Sequence, residues 1–288
     1  MARIALLTLE DRTGFVIDDA LAVDELRLRG HHVDEVPWTR ADADWSSYAL
    51  VVVRTPWDYT LRPDEFLETL ARIESLGVPL ENPRDVVAWN LHKSYLRDLE
   101  SRGTTIVPTR WGTGLDPATL RGMRDTTKRD FVVKPVISAN AKDTFVIDAR
   151  TDDSTLARIA SLYANREWMA QPFVRSVVDQ GEYSLFYFGG KYSHAIVKRP
   201  KAGDFRVQEE HGGIIRAVDD PPQDVQVAAE RVLAGIGRSL LQARIDLVHL
   251  DDGNPALMEA ELIEPSLYFR FHPRAAAHFA DAVESRVR

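Results

Sequence analysis

Three carboxylates stand out in an apolar part of the chain. The segment "ALMEAELIEPS" (residues 256–266) places Glu259 and Glu261 two residues apart among apolar neighbours. Strand side chains alternate between faces, so these two point the same way. The preceding run "ARIDLVHLD" carries Asp246, and the intervening "DGNP" reads as a turn, which sets Asp246 opposite the pair across a hairpin. Acids gathered on one face repel unless a cation sits among them. Hard oxygen donors suit Mg²⁺, which takes a few carboxylates together with phosphate oxygens. Any one of these acids alone reads as part of a solvated sheet face; the three together on apolar strands read as a metal site. Glu264 lies an odd number of residues further on, past the strand end beside Pro265, and falls outside the set.

A metal that prefers phosphate needs basic partners. Lys134 sits in the apolar run "FVVKP", where a strand lysine either lies at a solvent edge or emerges into a cleft. Lys93 in "NLHKSYL" stands at a helix start, where backbone N–H groups favour anions, and an ordinary surface lysine fits the position equally. "KRPKAGDFR" supplies Lys198, Arg199, Lys201 and Arg206, either a solvated hairpin edge or a clamp for phosphate or carboxylate. In "VVVRTPWDY", Arg54 and Asp58 follow a buried strand, at the end where open α/β sheets bind ligands; a structural ion pair is the other reading.

These residues need elements to hold them. The first part alternates strand and helix: "RIALLTL", the helical spacing Ile17, Leu21, Val23, Leu26, Leu28 ended by Gly30, then "HHVDEVPW", "YALVVVR", the helix "RPDEFLETLARIESLG" and "VPLEN". Apolar strands separated by helices predict a parallel sheet covered on both faces. The middle predicts a helix over "NLHKSYLRDLESRG", strands "DFVVKPVI" and "DTFVIDA" flanking "SANAK", a helix around "STLARIASLYA" and the strand "EWMAQPFV". "GEYSLFYFGG" and "KYSHAIVKRP" form a hairpin pattern turning at Gly189-Gly190. The helix "QDVQVAAERVLAGIG", the two acid-bearing strands and a final helix "PRAAAHFADAVESRV" complete the chain. The fold class is therefore α/β followed by α+β.

Lys plus Arg number 36 and Asp plus Glu 44, a formal charge of −8, which argues against nucleic acid and anionic membrane as partners. There is no cysteine, so disulfides, thiolate metal sites and a cysteine nucleophile are excluded. The apolar start "MARIALLTLEDRTG" is too short for a signal-peptide core, and no apolar run approaches the roughly 20 residues of a membrane span. The expectation is a cytoplasmic protein.

Taken in order, "NLHKSYL", "FVVKPVISAN", "AQPFV" with "GEYS", "KRP…FR…HGG" and "ARIDLV…LMEAELIEPS" resemble the ATP-grasp superfamily of carboxylate–amine ligases, nearest its glutathione-synthetase and ribosomal-protein-glutamate-ligase branch. The resemblance covers most of the chain, and no P-loop GxxxxGK[ST] competes with it. It implies an ATP-grasp fold behind a Rossmann-like pre-ATP-grasp lobe, divided at about 1–90, 91–175 and 176–288. It implies Lys93, Lys134 and Ser138 on the ATP phosphates. Gln171, Pro172, Phe173 and Val174 would surround adenine, with Glu182 on the ribose. Asp246, Glu259 and Glu261 would hold two Mg²⁺ ions, with Mn²⁺ as the alternative metal. Arg199 and Arg206 would flank the transferred phosphate and acyl group.

Two departures matter: Glu261 stands where many relatives have Asn, and "VISANAK" lacks the glycines common in the phosphate loop, leaving Ser138 and Asn140 as donors. "RTPWDY" and "EPSLYF" resemble a smaller subgroup, the D-cycloserine-forming ligases, in which an O-ureido amino acid is cyclised in antibiotic biosynthesis. The implied activity is ATP-dependent C–N bond formation through an acyl phosphate, on a small amino-acid-like substrate, with Arg54 and Asp58 as substrate contacts. A homodimer is common in the family. A kinase on the same fold and a non-catalytic nucleotide-binding module are the competing readings.

Overall fold

Four strands of the first lobe run parallel: β1 (Arg3–Thr8), β2 (His32–Pro37), β3 (Leu50–Thr55) and β4 (Leu80–Glu81), in the order β2-β1-β3-β4. The computed structural model describes residues 1–127 and 129–287. Alternate residues of β1 and β3 enter different cores, as a period of two requires. Ile4, Leu6, Leu50 and Val52 join one core with helix α1 (Ala20–Leu28). Ala5, Leu7, Val51 and Val53 join another with helix α2 (Pro63–Ser75), which buries Phe66, Leu70 and Ile73.

Two short helices follow, α3 (Arg84–Leu91) and α4 (Tyr95–Ser101). The sequence suggests one helix from Asn90 onward. The backbone instead breaks at His92, which is extended (φ −103°, ψ 117°), and the Lys93 amide donates to Val136 O at 2.9 Å. Lys93 thus sits in a turn tied to the second lobe.

That lobe is a four-stranded antiparallel sheet, β5 (Arg110–Thr113), β6 (Phe131–Pro135), β7 (Phe145–Ile147) and β8 (Glu167–Pro172), in the order β5-β8-β6-β7. Helices α5 (Pro117–Thr127) and α6 (Asp153–Leu162) bury Leu120, Met123, Leu156 and Ile159 against Phe131, Val133, Ile147 and Ala170. Asp152 caps α6, accepting from the Thr155 amide at 2.7 Å. Because alternate residues serve this core, Val132, Lys134 and Gln171 face the other way, into a cleft.

The third lobe begins with one turn of helix, α7 (Ser176–Asp179). Its antiparallel sheet has the order β11-β10-β9-β12-β13, formed by β9 (Glu182–Phe188), β10 (Lys191–Arg199), β11 (Ile214–Val218), β12 (Gln242–His249) and β13 (Pro255–Glu261). The β9–β10 turn uses Gly189 and Gly190 at φ +56° and +77°, values that residues with a Cβ rarely adopt. Helix α8 (Gln223–Ile236) covers one sheet face. Helix α9 (Ala275–Glu284) joins the core shared by the first and third lobes, where Phe279 and Val283 meet Ile4, Leu6, Phe186 and Phe188.

Packing is continuous across the boundary expected near residue 91. Val86, Tyr95, Leu96, Leu99 and Ile106 pack into the α8 core, and Ile106 bridges Leu257 of β13. The segment 84–107 packs across lobes: these residues meet α8 together with Met169 of the second sheet, while Val87 and Leu91 join the first-lobe core. Among the described residues, no helix is long and apolar enough to cross a membrane.

Candidate active site

One cavity of about 660 Å³ runs between the three lobes, within the size range of small-ligand sites. Its third-lobe wall is one face of the sheet. Glu182 and Ser184 of β9, Lys198 of β10, Arg244 and Asp246 of β12, and Glu259 and Glu261 of β13 all share that face, while Ala243, Ile245 and Ala260 point into the α8 core. The register sets Asp246 opposite Glu259 and Arg244 opposite Glu261.

The three acids expected to converge on a metal are each turned onto a cation. Lys93 pairs with Glu259. Arg244 holds Asp246 at 3.0 Å and also engages Glu261. Lys198 bridges Asp246 at 3.2 Å and Glu182 at 2.5 Å, and the Ser184 hydroxyl donates to Asp246 at 2.5 Å. Among the described residues, no group of three acids or histidines is arranged as a ready metal site. The reason is electrostatic: like carboxylates repel and each takes the nearest cation.

The donor set nevertheless fits a hard divalent cation, because three carboxylates share one sheet face, Asp246 directly opposite Glu259 and Glu261 two residues further along that face. Burial, opposed mainly by Arg244, together with Asp246 and Glu259 pushes the Glu261 carboxyl up to about 7. Its side chain is still 30% accessible through the cleft mouth, so a metal has a route to it. Asp246 behaves oppositely: burial alone would raise it, but Arg244 and Lys198 outweigh that and hold it at about 2. Asp246, Glu259 and Glu261 are the oxygen donors that would hold Mg²⁺.

Lys134 faces Glu259 and Lys93 from the second sheet, and burial pushes its ammonium below the ordinary lysine value. A desolvated ammonium that makes no salt bridge among the described residues is suited to a phosphate. The apolar end of the cavity is formed by Phe173, Val174, Val177, Val207 and Met258, a slot with the chemistry of a purine face. Gln171 and Pro172 line the same end; Gln171 is fixed by its side-chain amide, which donates to Thr109 Oγ1 at 3.0 Å. Glu182 lines the cavity beside them, paired with Lys198.

Two loops roof the cavity. Ser138, Asn140 and Lys142 line it from the β6–β7 loop, and Arg206 and Gln208 from the loop after β10. Asn140, Ala141 and Asp143 adopt left-handed φ of 52°, 53° and 54° with no glycine among them. The loop so takes the conformation that glycines usually supply, at a strain cost typical of functional loops. Gly213 closes the second loop; a Cβ there would lie 1.9 Å from Val207 O. His211 meets Asn140 O across the roof at 3.4 Å. Arg206 is aimed by Asp204, which accepts from its Nε and Nη2 at 3.0 and 2.8 Å.

Two expected site residues fall outside the cavity wall. Arg199 is exposed and donates to Gln180 O at 3.0 Å, because the alternation of β10 turns Lys198 inward and its neighbour outward. Arg54 is 1% accessible; it pairs with Asp19 at 2.8 Å and donates to Gln242 at 2.7 Å and to Pro265 O at 3.2 Å. All of β3 is buried, so its arginine serves the lobe junction rather than a ligand. Asp58 does line the cavity, with its carboxylate accepting from the Trp38 indole at 2.7 Å. Lys198, read from sequence only as one of a basic cluster, lines the cavity, and Arg244 is the cavity residue that sequence reasoning passed over. Arg244 had a signal: it stands two residues before Asp246, hence on the same strand face. Glu264 also lines the cavity, and burial together with Glu261 pushes its carboxyl up to about 8.

Comparison with known proteins agrees with this architecture. Residues 4–82 match the family model described as the N-terminal domain of D-cycloserine synthetase DcsG. The cycloserine biosynthesis protein DcsG of Streptomyces lavendulae is 32% identical over 304 aligned residues, covering 100% of both chains. The crystal structure of D-cycloserine synthetase DcsG superposes with a TM-score of 0.84 at 30% identity, over 99% of this chain and 100% of that one. An ATP-grasp ligase, PsnB, solved with a precursor variant, Mg and ADP, shares the fold with a TM-score of 0.69 at 16% identity, over 99% and 98% of the chains.

Proposed function

The chain belongs to the D-cycloserine synthetase family of ATP-grasp ligases, and from that premise we propose that it closes O-ureido-D-serine into a ring using ATP. The observation that carries the reading is the single cavity in which an apolar slot, a lysine-and-carboxylate wall and a chamber under the first lobe are continuous. These are the three compartments that nucleotide, phosphate transfer and a small substrate require.

In this reading the adenine lies in the slot at Phe173, Val174 and Met258, and Glu182 takes the ribose hydroxyls. Lys93 and Lys134 hold phosphate oxygens, Lys93 exchanging its Glu259 partner for phosphate, with Ser138 donating from the roof. Mg²⁺ bound by Asp246, Glu259 and Glu261 supplies charge neutralisation at the phosphates. The substrate carboxylate attacks the γ-phosphorus, giving an acyl phosphate and ADP; positioning and charge balance are the protein's main contributions to such a step. The oxygen-bound nitrogen of the same molecule then attacks the acyl carbon and gives up its proton, closing a five-membered ring as phosphate leaves; the carbamoyl group stays on that nitrogen. Arg206 donates to the acyl oxygen as it gains charge. The two roof loops keep water from the acyl phosphate.

The test is direct. Purified protein with O-ureido-D-serine, ATP and Mg²⁺ should yield the ring product by mass spectrometry together with ADP. Glu259→Gln should lower the rate by ~10³-fold or more while the folded protein persists by circular dichroism, the scale of losing a group that acts on the transition state. Full turnover in the variant would remove Glu259 from the mechanism.

A further inference from the structure

The cavity end under the first lobe is walled by Phe15, Trp57, Asp58, Tyr59, Glu264 and Ser266. Among the described residues, the first sheet's loops bring no lysine or arginine to this wall; the cavity's basic side chains come from residue 93 onward. The loop carrying Glu264 is held at three consecutive carbonyls. The Trp57 indole donates to Glu264 O at 2.9 Å, Arg54 to Pro265 O at 3.2 Å, and Arg244 to Ser266 O at 3.2 Å. Donors from two lobes thus fix where the Glu264 side chain projects. Glu259 and Glu261 have cationic partners, whereas Glu264 enters no salt bridge among the described residues and is faced by the Tyr59 hydroxyl. Phe15 and Trp57, on the same cavity wall, pack together with ring centroids 5.0 Å apart.

A fixed carboxylate without a cation, beside a hydroxyl and aromatic faces, suits a primary ammonium. A carboxylate placed there would meet Glu264 and Asp58. We propose that Glu264, with the Tyr59 hydroxyl, receives the substrate's α-ammonium group and so orients the substrate carboxylate toward Lys93 and the metal-binding acids. This rests on the ligase reading above and adds its substrate-side recognition. It also assigns Arg54 a positioning role, through the Pro265 carbonyl.

The experiment compares O-ureido-D-serine with its deamino counterpart, 3-(ureidooxy)propanoic acid, in the wild-type protein, Glu264→Gln and Tyr59→Phe. The wild type should prefer the amino compound by ~100-fold in kcat/KM, the scale of one desolvated charge-assisted contact. Glu264→Gln should reduce that preference to within about 10-fold, through KM of the amino compound, with the KM of MgATP changed less than about 3-fold. Tyr59→Phe, which removes one hydroxyl, should lower the preference by ~3- to 10-fold, and it supplies the readout if Glu264→Gln does not fold. An undiminished preference in the folded variants overturns the assignment while leaving the ligase reading in place. Absence of ring product from the wild type overturns the ligase reading and this assignment with it.

Discussion

Arg244 donates to Asp246 at 3.0 Å and engages Glu261 with the same guanidinium, so one side chain holds two of the three carboxylates available to a metal. It stands directly across the β12–β13 ladder from Glu261. Arg244→Gln should therefore destabilise the metal-free protein by about 3 kcal/mol, because a buried carboxylate loses part of its compensation. Urea denaturation with and without MgADP checks this: Mg²⁺ should recover more stability in the variant than in the wild type. Equal recovery in both would mean that Arg244 and the metal do not share these carboxylates.

Lys134 projects from β6 into the cleft, and burial lowers its ammonium pKa. Lys134→Ala should raise the KM for ATP by ~10- to 100-fold, the loss of a charge-assisted phosphate contact, with little change in the KM of the amino-acid substrate. Initial-rate titrations of each substrate separate the two. An unaltered KM for ATP would place the phosphates elsewhere.

His194 gives the fold a pH dependence remote from the chemistry. It is 3% accessible, stacked on Phe186 at 4.2 Å, with Nε2 against Leu267 O at 3.0 Å. Burial, with His272 and His278 nearby, lowers its pKa to about 3, so the native state keeps it neutral. The unfolded chain takes a proton near the ordinary value of ~6.5. Its contribution to stability is present above that pH and is lost as pH falls from ~6.5 toward ~3, at up to ~1.4 kcal/mol per unit. Urea midpoints measured between pH 7 and pH 5 should fall for the wild type, and His194→Gln should flatten that slope. A slope unchanged in the variant would assign the acid sensitivity to other groups.

How much of this the sequence disclosed depended on what kind of information each feature needs. Alternation alone placed Glu259 and Glu261 together and set Lys134 apart from Val133, because period two is local. The same rule, applied to β10, turns Lys198 into the cavity and Arg199 out of it, but the phase of a strand containing two adjacent cations is settled only by which neighbours are buried. Arg54 looked like a ligand contact because it ends an apolar strand. Its partners Asp19, Gln242 and Pro265 lie 35, 188 and 211 residues away, and no local pattern reports them. The helix break at Lys93 likewise depends on Val136 O, a contact from another lobe. Elements were legible where periodicity fixed them; the packing partners of residues 84–107 were not, since those depend on which cores meet an apolar stripe.

The central claim is that the substrate carboxylate is phosphorylated and then displaced by its own nitrogen. O-Ureido-D-serine labelled with ¹⁸O in both carboxylate oxygens tests this most directly, with the released phosphate analysed by mass spectrometry. The account predicts one ¹⁸O in each phosphate and one retained in the ring carbonyl. Unlabelled phosphate, or label held in a stable phosphorylated substrate without ring closure, would contradict it.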